Sequence, residues 1–225
     1  MKKVIILSLM LFTIIASAQT KISTNLGDFS TLKVYNGIEV EIIKSDEQKI
    51  EITGEKSEKV KVKNVNGTLK ISLNFPEVSA DGKAIAKIFY KNNLDVIDAN
   101  EGATITGKNI NQDKLEVNAQ EKAFINLTTT VISLKVRASS GGSIKLTGKA
   151  TTQEVDLDLY GIYTGFAMEV SDETTVFAGT GAKAEVNPGK KLTAKVNFGG
   201  SIFYKGDTQL VEESKVAGGI IKKRN

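Results

Sequence analysis

Three stretches of the chain carry the same step, Gly-Gly-x-Ile: "SSGGSI" at Ser139 to Ile144, "NFGGSI" at Asn197 to Ile202 and "VAGGII" at Val216 to Ile221. The step sits inside a longer period. Segments beginning at Leu115, Leu134, Val155, Val176, Leu192 and Val211 follow one another by 19, 21, 21, 16 and 19 residues. In the Leu134 copy the inward positions are Leu134, Val136, Ala138, Ile144 and Leu146, and the Leu192 copy repeats them as Leu192, Ala194, Val196, Ile202 and Tyr204. Self-similarity at this period means a solenoid, in which neighbouring coils supply the burial that one coil cannot. Coils of about 20 residues with short strands between corners suit a parallel β-helix, and six or seven of them, ~4.8 Å apart, make a rod roughly 30 Å long. The eighth position after each start holds Ala123, Gly142, Ala184, Gly200 and Gly219. A corner stacked on itself leaves no room there for a larger side chain.

Before this region the period is two. "TLKVY", "IEVEII", "KIEIT", "KVKVK", "TLKISLNF" and "AIAKIFY" each alternate apolar and polar residues, which describes half-buried strands. Asn66-Gly67 supplies the positive φ angles of a two-residue hairpin turn. The Asn93 to Gly107 stretch reads as an earlier coil with a slipped or bulged first strand. The expected division is therefore a leader at 1–18, a strand and hairpin region at 19–92, and solenoid repeats at 93–225, the last two forming one continuous domain. The leader has Lys2 and Lys3, an apolar run from Val4 to Ile15 and the small-residue pattern Ala16-Ser17-Ala18, which is a secretory signal with cleavage before Gln19. No later run is long enough for a membrane-spanning helix.

Composition removes several chemistries. There is no cysteine and no histidine, so disulfides, thiolate metal sites and His-dependent triads have no residues to build on. The formal charge of +4 falls to +2 without Lys2 and Lys3, and the basic residues alternate with acids, so a nucleic-acid-binding stripe is not expected. Asp156 and Asp158 in "VDLDLY" face the same side of a strand and are the best carboxylate pair, but a solubilising face explains them without a metal or catalytic site. The glycine pairs resemble an anion nest, yet no Lys-Ser/Thr and no helix follows. No cofactor is expected. Asn66 and Asn126 match the glycosylation triplet.

One copy departs from the rest. "LYGIYTGFAM", Leu159 to Met168, puts Tyr163 in the small slot and Gly165 where Ile is expected. Two readings follow. Tyr160, Tyr163 and Phe166 form an exposed aromatic platform for a glycan or protein ligand; or the register slips by two, which keeps inside and outside unchanged, and Tyr163 fills the Ile slot with Gly161 at the corner. The second reading is preferred.

The opening "FSTLKVYNGIEVEIIKSDEQKIEI", the hairpin "VNGTLKIS" and the tandem coils of the type "LKVRASSGGSIKLTG" resemble the exported bacterial family called the head GIN domain, named for autotransporter adhesins. The resemblance spans the mature chain. It implies an all-β, right-handed parallel β-helix, an envelope or surface location and an adhesive or scaffolding role. It brings no catalytic residues. The expectation is an exported, non-catalytic binding or structural module in the periplasm, on the outer surface or outside the cell, whose partner is a glycan, a surface protein or further copies of itself. A β-helix polysaccharide-active enzyme using Asp156 and Asp158 is the alternative.

Overall fold

The computed structural model describes residues 21–225; the leader at 1–18 lies outside the described residues. The strands are β1 (Lys21–Thr24), β2 (Thr31–Val34), β3 (Glu39–Lys44), β4 (Lys49–Thr53), β5 (Val60–Val65), β6 (Thr68–Leu73), β7 (Ile85–Tyr90), β8 (Val96–Ala99) and β9 (Thr104–Ala119). They continue as β10 (Phe124–Ala138), β11 (Ser143–Leu157), β12 (Ile162–Val170), β13 (Glu173–Ala178), β14 (Lys183–Asn187), β15 (Lys191–Asn197), β16 (Ser201–Tyr204), β17 (Leu210–Val216) and β18 (Ile220–Lys223). From β8 onward the chain winds as a parallel β-solenoid of about seven turns with coils of about 19 residues. Each coil gives a strand or part of one to each of two long faces, and a short third ladder, Ile110–Gln112, Thr129–Val131, Gly148–Ala150 and Met168–Val170, joins them through β9 to β12. Face A stacks β7, β3, the start of β9, the starts of β10 and β11, then β12, β14, β16 and β18. Face B stacks β6, β2, β8, the ends of β9, β10 and β11, then β13, β15 and β17.

The coils are not stacked in chain order at the N-terminal end. β2 lies between β6 and β8, and β3 lies between β7 and β9, all in parallel. The first coil of the sequence is thus covered on one side by a coil that is made later. Antiparallel strands then close that end: β5 on β6 through the Asn66-Gly67 turn, with φ of 49° and 76°, and β4 on β7 with β1 beyond it. At the far end β17 places Glu213 and Lys215 in register with the inward-facing Ala194 and Val196, and the two charges pair at 3.2 Å. Charges at inward positions of a terminal coil oppose further strand addition.

The register corrects the starts of two coils. The first inward layer is Leu115, Leu134, Gln153, Thr174, Leu192 and Val211, with steps of 19, 19, 21, 18 and 19 residues. Val155 and Val176 belong instead to the second layer, on Val136. Gln153 and Thr174 are buried, but being polar they do not register in an apolar pattern. Gly161 therefore stands at the corner and Tyr163 stacks on Ile144, as the preferred two-residue slip has it, and the same slip puts Ala182 rather than Ala184 at the next corner. The Asn93 coil has the slipped first strand expected of it: Leu94 and Ile97 are buried three residues apart, where Leu115 and Val117 are two apart, and β8 pairs with β9 in register from Val96 on; a further bulge falls between Gly107 and Ile110, opposite Leu127 and Thr129.

Tyr163 is wholly buried, and three neighbours make that arrangement work. Gly165 leaves the space that the ring occupies, since a Cβ there would lie 2.4 Å from ring carbons. Ala184 above it is small. Gln153 Nε2 donates to the phenol oxygen at 2.7 Å, so a polar side chain in the leucine layer satisfies the tyrosine in the isoleucine layer.

Every corner from Tyr35 to Gly200 is a four-residue turn closed by a backbone bond from its fourth to its first residue, as in Gly142 to Ser139 at 2.8 Å and Gly200 to Asn197 at 3.0 Å. A Cβ on Gly142 would sit 2.1 Å from the carbonyl oxygen of Ala119 in the coil below, and one on Gly200 would sit 2.0 Å from that of Ala178. Neither carbonyl can swing away, because Ala119 accepts from Ser139 and Ala178 lies in the strand ladder. We therefore expect Gly142→Val and Gly200→Val each to lower unfolding free energy by about 1–3 kcal/mol or more, measured by chemical denaturation. Equal stability of both variants with the wild type would refute the close approach.

Burial holds the Tyr163 phenol protonated well above a tyrosine's ordinary value, the Gln153 bond pulling the other way. Because the folded value is raised, the associated stability is complete below the unfolded value near ~10 and is lost as pH rises beyond it. Tyr35 and Tyr90, also raised by burial, add in the same direction. Tyr163→Phe should cost about 1–3 kcal/mol at neutral pH by leaving the Gln153 amide unpaired. It should also flatten, without abolishing, the loss of stability above about pH 10. Urea titrations across that range decide both points.

Candidate functional surface

Alternation within the face B strands sends every second side chain outward, and coil stacking turns these into columns along the rod. One column reads Lys33, Asp98, Asn118, Arg137, Asp156, Phe177, Lys195 and Ser214. Its first part lines a groove with Gln120, Ser139 and Asp158. The groove floor is fixed by polar contacts. Asp98 is only 5 % exposed; its Oδ2 pairs with Lys33 Nζ at 3.1 Å and its Oδ1 accepts from Asn100 Nδ2 at 2.9 Å. The hydrogen bond to Asp98 and its charge hold the Lys33 ammonium above the ordinary lysine range. Arg137 Nη1 and Asn118 Nδ2 both donate to Glu116 Oε1, at 2.7 and 3.0 Å. These bonds fix side chains that would otherwise have to be ordered by a ligand.

Asp156 and Asp158, expected as an outward pair, do face the groove, but they differ in role. Asp158 Oδ1 accepts from the backbone amides of Leu159 at 2.8 Å and Thr180 at 2.9 Å, tying one corner to the next. Asp156 stands beside Arg137 in the column. Among the described residues no group of three or more acidic side chains is placed to hold a metal ion. A hollow at the N-terminal end, between Asn25 and Leu69, is crossed by Asn64 Nδ2, which donates to the Leu26 and Asp28 carbonyls and so serves the chain entry.

The three aromatic residues singled out from sequence are separated. Tyr163 belongs to the core and presents no surface, because Gly165 and Ala184 leave it room inside. Phe166 is half-buried in the middle of β12, with the Lys205 ammonium 5.8 Å from its ring centre. Tyr160 is 67 % exposed on the corner that precedes β12. Two aromatics not singled out stand near it: Phe177 in the groove column and Phe198, 61 % exposed, two corners further along. Phe198 lies inside the repeated "NFGGSI", where attention to the glycines hides the residue beside them.

The family model described as "Putative auto-transporter adhesin, head GIN domain" matches residues 28–208. No curated protein sequence matches the chain. Among solved structures it is similar to a "putative adhesin" from Bacteroides fragilis, with 18% identity, TM-score 0.82, and 93% of this chain and 98% of that one covered. A "putative adhesin" from Parabacteroides merdae is similar at 19% identity and TM-score 0.72, over 93% and 97% of the two chains. A "putative lipid binding protein" from Parabacteroides distasonis follows at 16% identity and TM-score 0.68, over 93% and 98%. At such identities the structures speak for a shared fold, whereas the family model covers most of the sequence itself. The chain belongs to the head GIN domain family.

Proposed function

We propose that this chain is an exported, non-catalytic binding module of the adhesin type, which meets its ligand along the face B groove between Lys33 and Asp158. The observation that carries this reading is the preordered row of Lys33, Asp98, Asn118 and Arg137, whose side chains are already tied to neighbours and set both signs of charge and an amide along several coils. A row of this kind suits an extended partner lying parallel to the rod. Catalysis finds less support, since Asp158 is committed to two backbone amides and the chain has no histidine or cysteine. The leader motif at 1–18 supports export, and no helix among the described residues is long and apolar enough to cross a membrane. The partner is a glycan or a surface protein of the cell envelope or of a neighbouring cell.

The test is capture of intact cells and envelope fragments by immobilised protein. Asp156→Lys should reduce retention about tenfold, equivalent to about 1.4 kcal/mol of binding, with an unchanged melting temperature. Retention equal to the wild type would remove the groove from the binding surface. Cleavage of a polysaccharide by the wild type, lost in Asp156→Asn with the fold intact, would replace this reading with an enzymatic one.

A further inference from the structure

The corners of successive coils stack into a ridge along one side of the groove, and the ridge follows a backbone rule. Its two central positions take left-handed φ angles in nearly every coil, and glycine fills the second of them at Gly37, Gly102, Gly141, Gly181, Gly199 and Gly218. Two coils break the rule. Glu121-Lys122 has φ of 53° and 63°, and Leu159-Tyr160 has φ of 44° and 64°. Bulky side chains are disfavoured in that region, and neither Leu159, 48 % exposed, nor Tyr160 is repaid by burial. Strain kept at an exposed position points to a use for the side chain rather than to a demand of the fold.

The surroundings show what the side chain is presented to. The Tyr160 ring lies over Gly181 of the next coil, where a Cβ would come 2.6 Å from its Cε1, so the bare glycine is what lets the ring lie down. One side of the ring rests on backbone and the ring remains largely open to solvent. Phe198 stands on the same ridge two coils beyond, and Lys122 two coils before. Lys122 and Tyr160 hold the same third position of their turns, so they stand about 9.6 Å apart, twice the ~4.8 Å strand separation, which is close to the length of a β-linked disaccharide; Phe198 holds the second position, in the column of Leu159, the same two coils further on. Ser140 and Thr180 carry hydroxyls on the intervening corners.

We propose that this ridge is the recognition track for an extended β-linked glycan, with pyranose rings stacking on Tyr160 and Phe198 and polar sugar groups meeting Lys122. Apolar ring faces suit the C–H faces of a sugar. A protein partner would instead favour a contiguous apolar core ringed by polar groups, whereas here large side chains alternate with glycine-floored gaps. The proposal rests on the adhesin reading and narrows its ligand to one class.

The experiment pairs stability with binding. In the double variant Leu159→Asn with Tyr160→Gly, the corner recovers residues at ease with left-handed backbone. Its melting temperature should rise, while affinity for chitohexaose and cellohexaose, measured by calorimetry, should fall at least tenfold for whichever hexamer the wild type binds. Phe198→Ser should weaken the same binding without loss of fold. A lower melting temperature in the double variant would show that Tyr160 serves packing, and would overturn the proposal; so would wild-type failure to bind either hexamer. Cell capture separates the two readings. Capture that survives periodate oxidation of surface glycans but not protease treatment leaves an adhesin with a protein ligand, and no capture of any surface with hexamer binding intact leaves the glycan track without the adhesin.

Discussion

The corner is the constraint from which the rest of this molecule follows. In four residues the chain must turn from face B to face A while keeping its amides on the coils above and below. Ser139 donates to Ala119, Gly141 to Leu159, and Ser143 to Ala123, so both sides of the turn are laddered. That doubly bonded turn brings the backbone of one coil within contact of the next, and a Cβ at Gly142, Gly161 or Gly200 would enter the carbonyl of the coil below. Left-handed backbone at the turn centre and bare backbone at its exit are separate demands with separate causes: the first is a torsional preference, the second a lack of space.

Close stacking at the corners keeps the core thin, and a thin core tolerates a large residue only when its neighbours yield. Tyr163 is the example. It takes an isoleucine position, and the chain answers with Gly165 beside it, Ala184 above it and Gln153 to receive its hydroxyl. Such compensation explains what the sequence made legible. Coil period, strand alternation and the Asn66-Gly67 hairpin all depend on local rules and could be read directly. The two-residue slip could be suspected, because Tyr163 broke a pattern of small residues. The assignment of Gln153 and Thr174 to the core could not, since a polar letter normally signals solvent and the partner that satisfies the Gln153 amide, Tyr163, lies ten residues away.

The candidate surface was harder to read for the same reason. Lys33 and Asp98 are far apart in sequence and become neighbours only because β8 lies on β2. No alternation within either segment announces that pairing. Asp156 and Asp158 were visible as a pair, yet their division of labour depends on Thr180, whose amide reaches Asp158 from the next corner. Tyr160 stood out by its type, and Phe198 did not, although the ridge gives them related positions.

The placement of β2 and β3 inside the stack has a consequence for how the molecule acquires its shape. A plain solenoid can wind coil upon coil as the chain emerges, each new turn docking on a finished one. Here residues 31–44 emerge first and must remain without either parallel neighbour until β6 and β7 arrive on one side and β8 and β9 on the other. The earliest coil is therefore completed by later segments, and closing those longer loops precedes the gain from pairing. Once β9 is in place the remaining coils have a finished edge to grow from, so the slow and order-dependent part of folding is confined to roughly the first half of the chain.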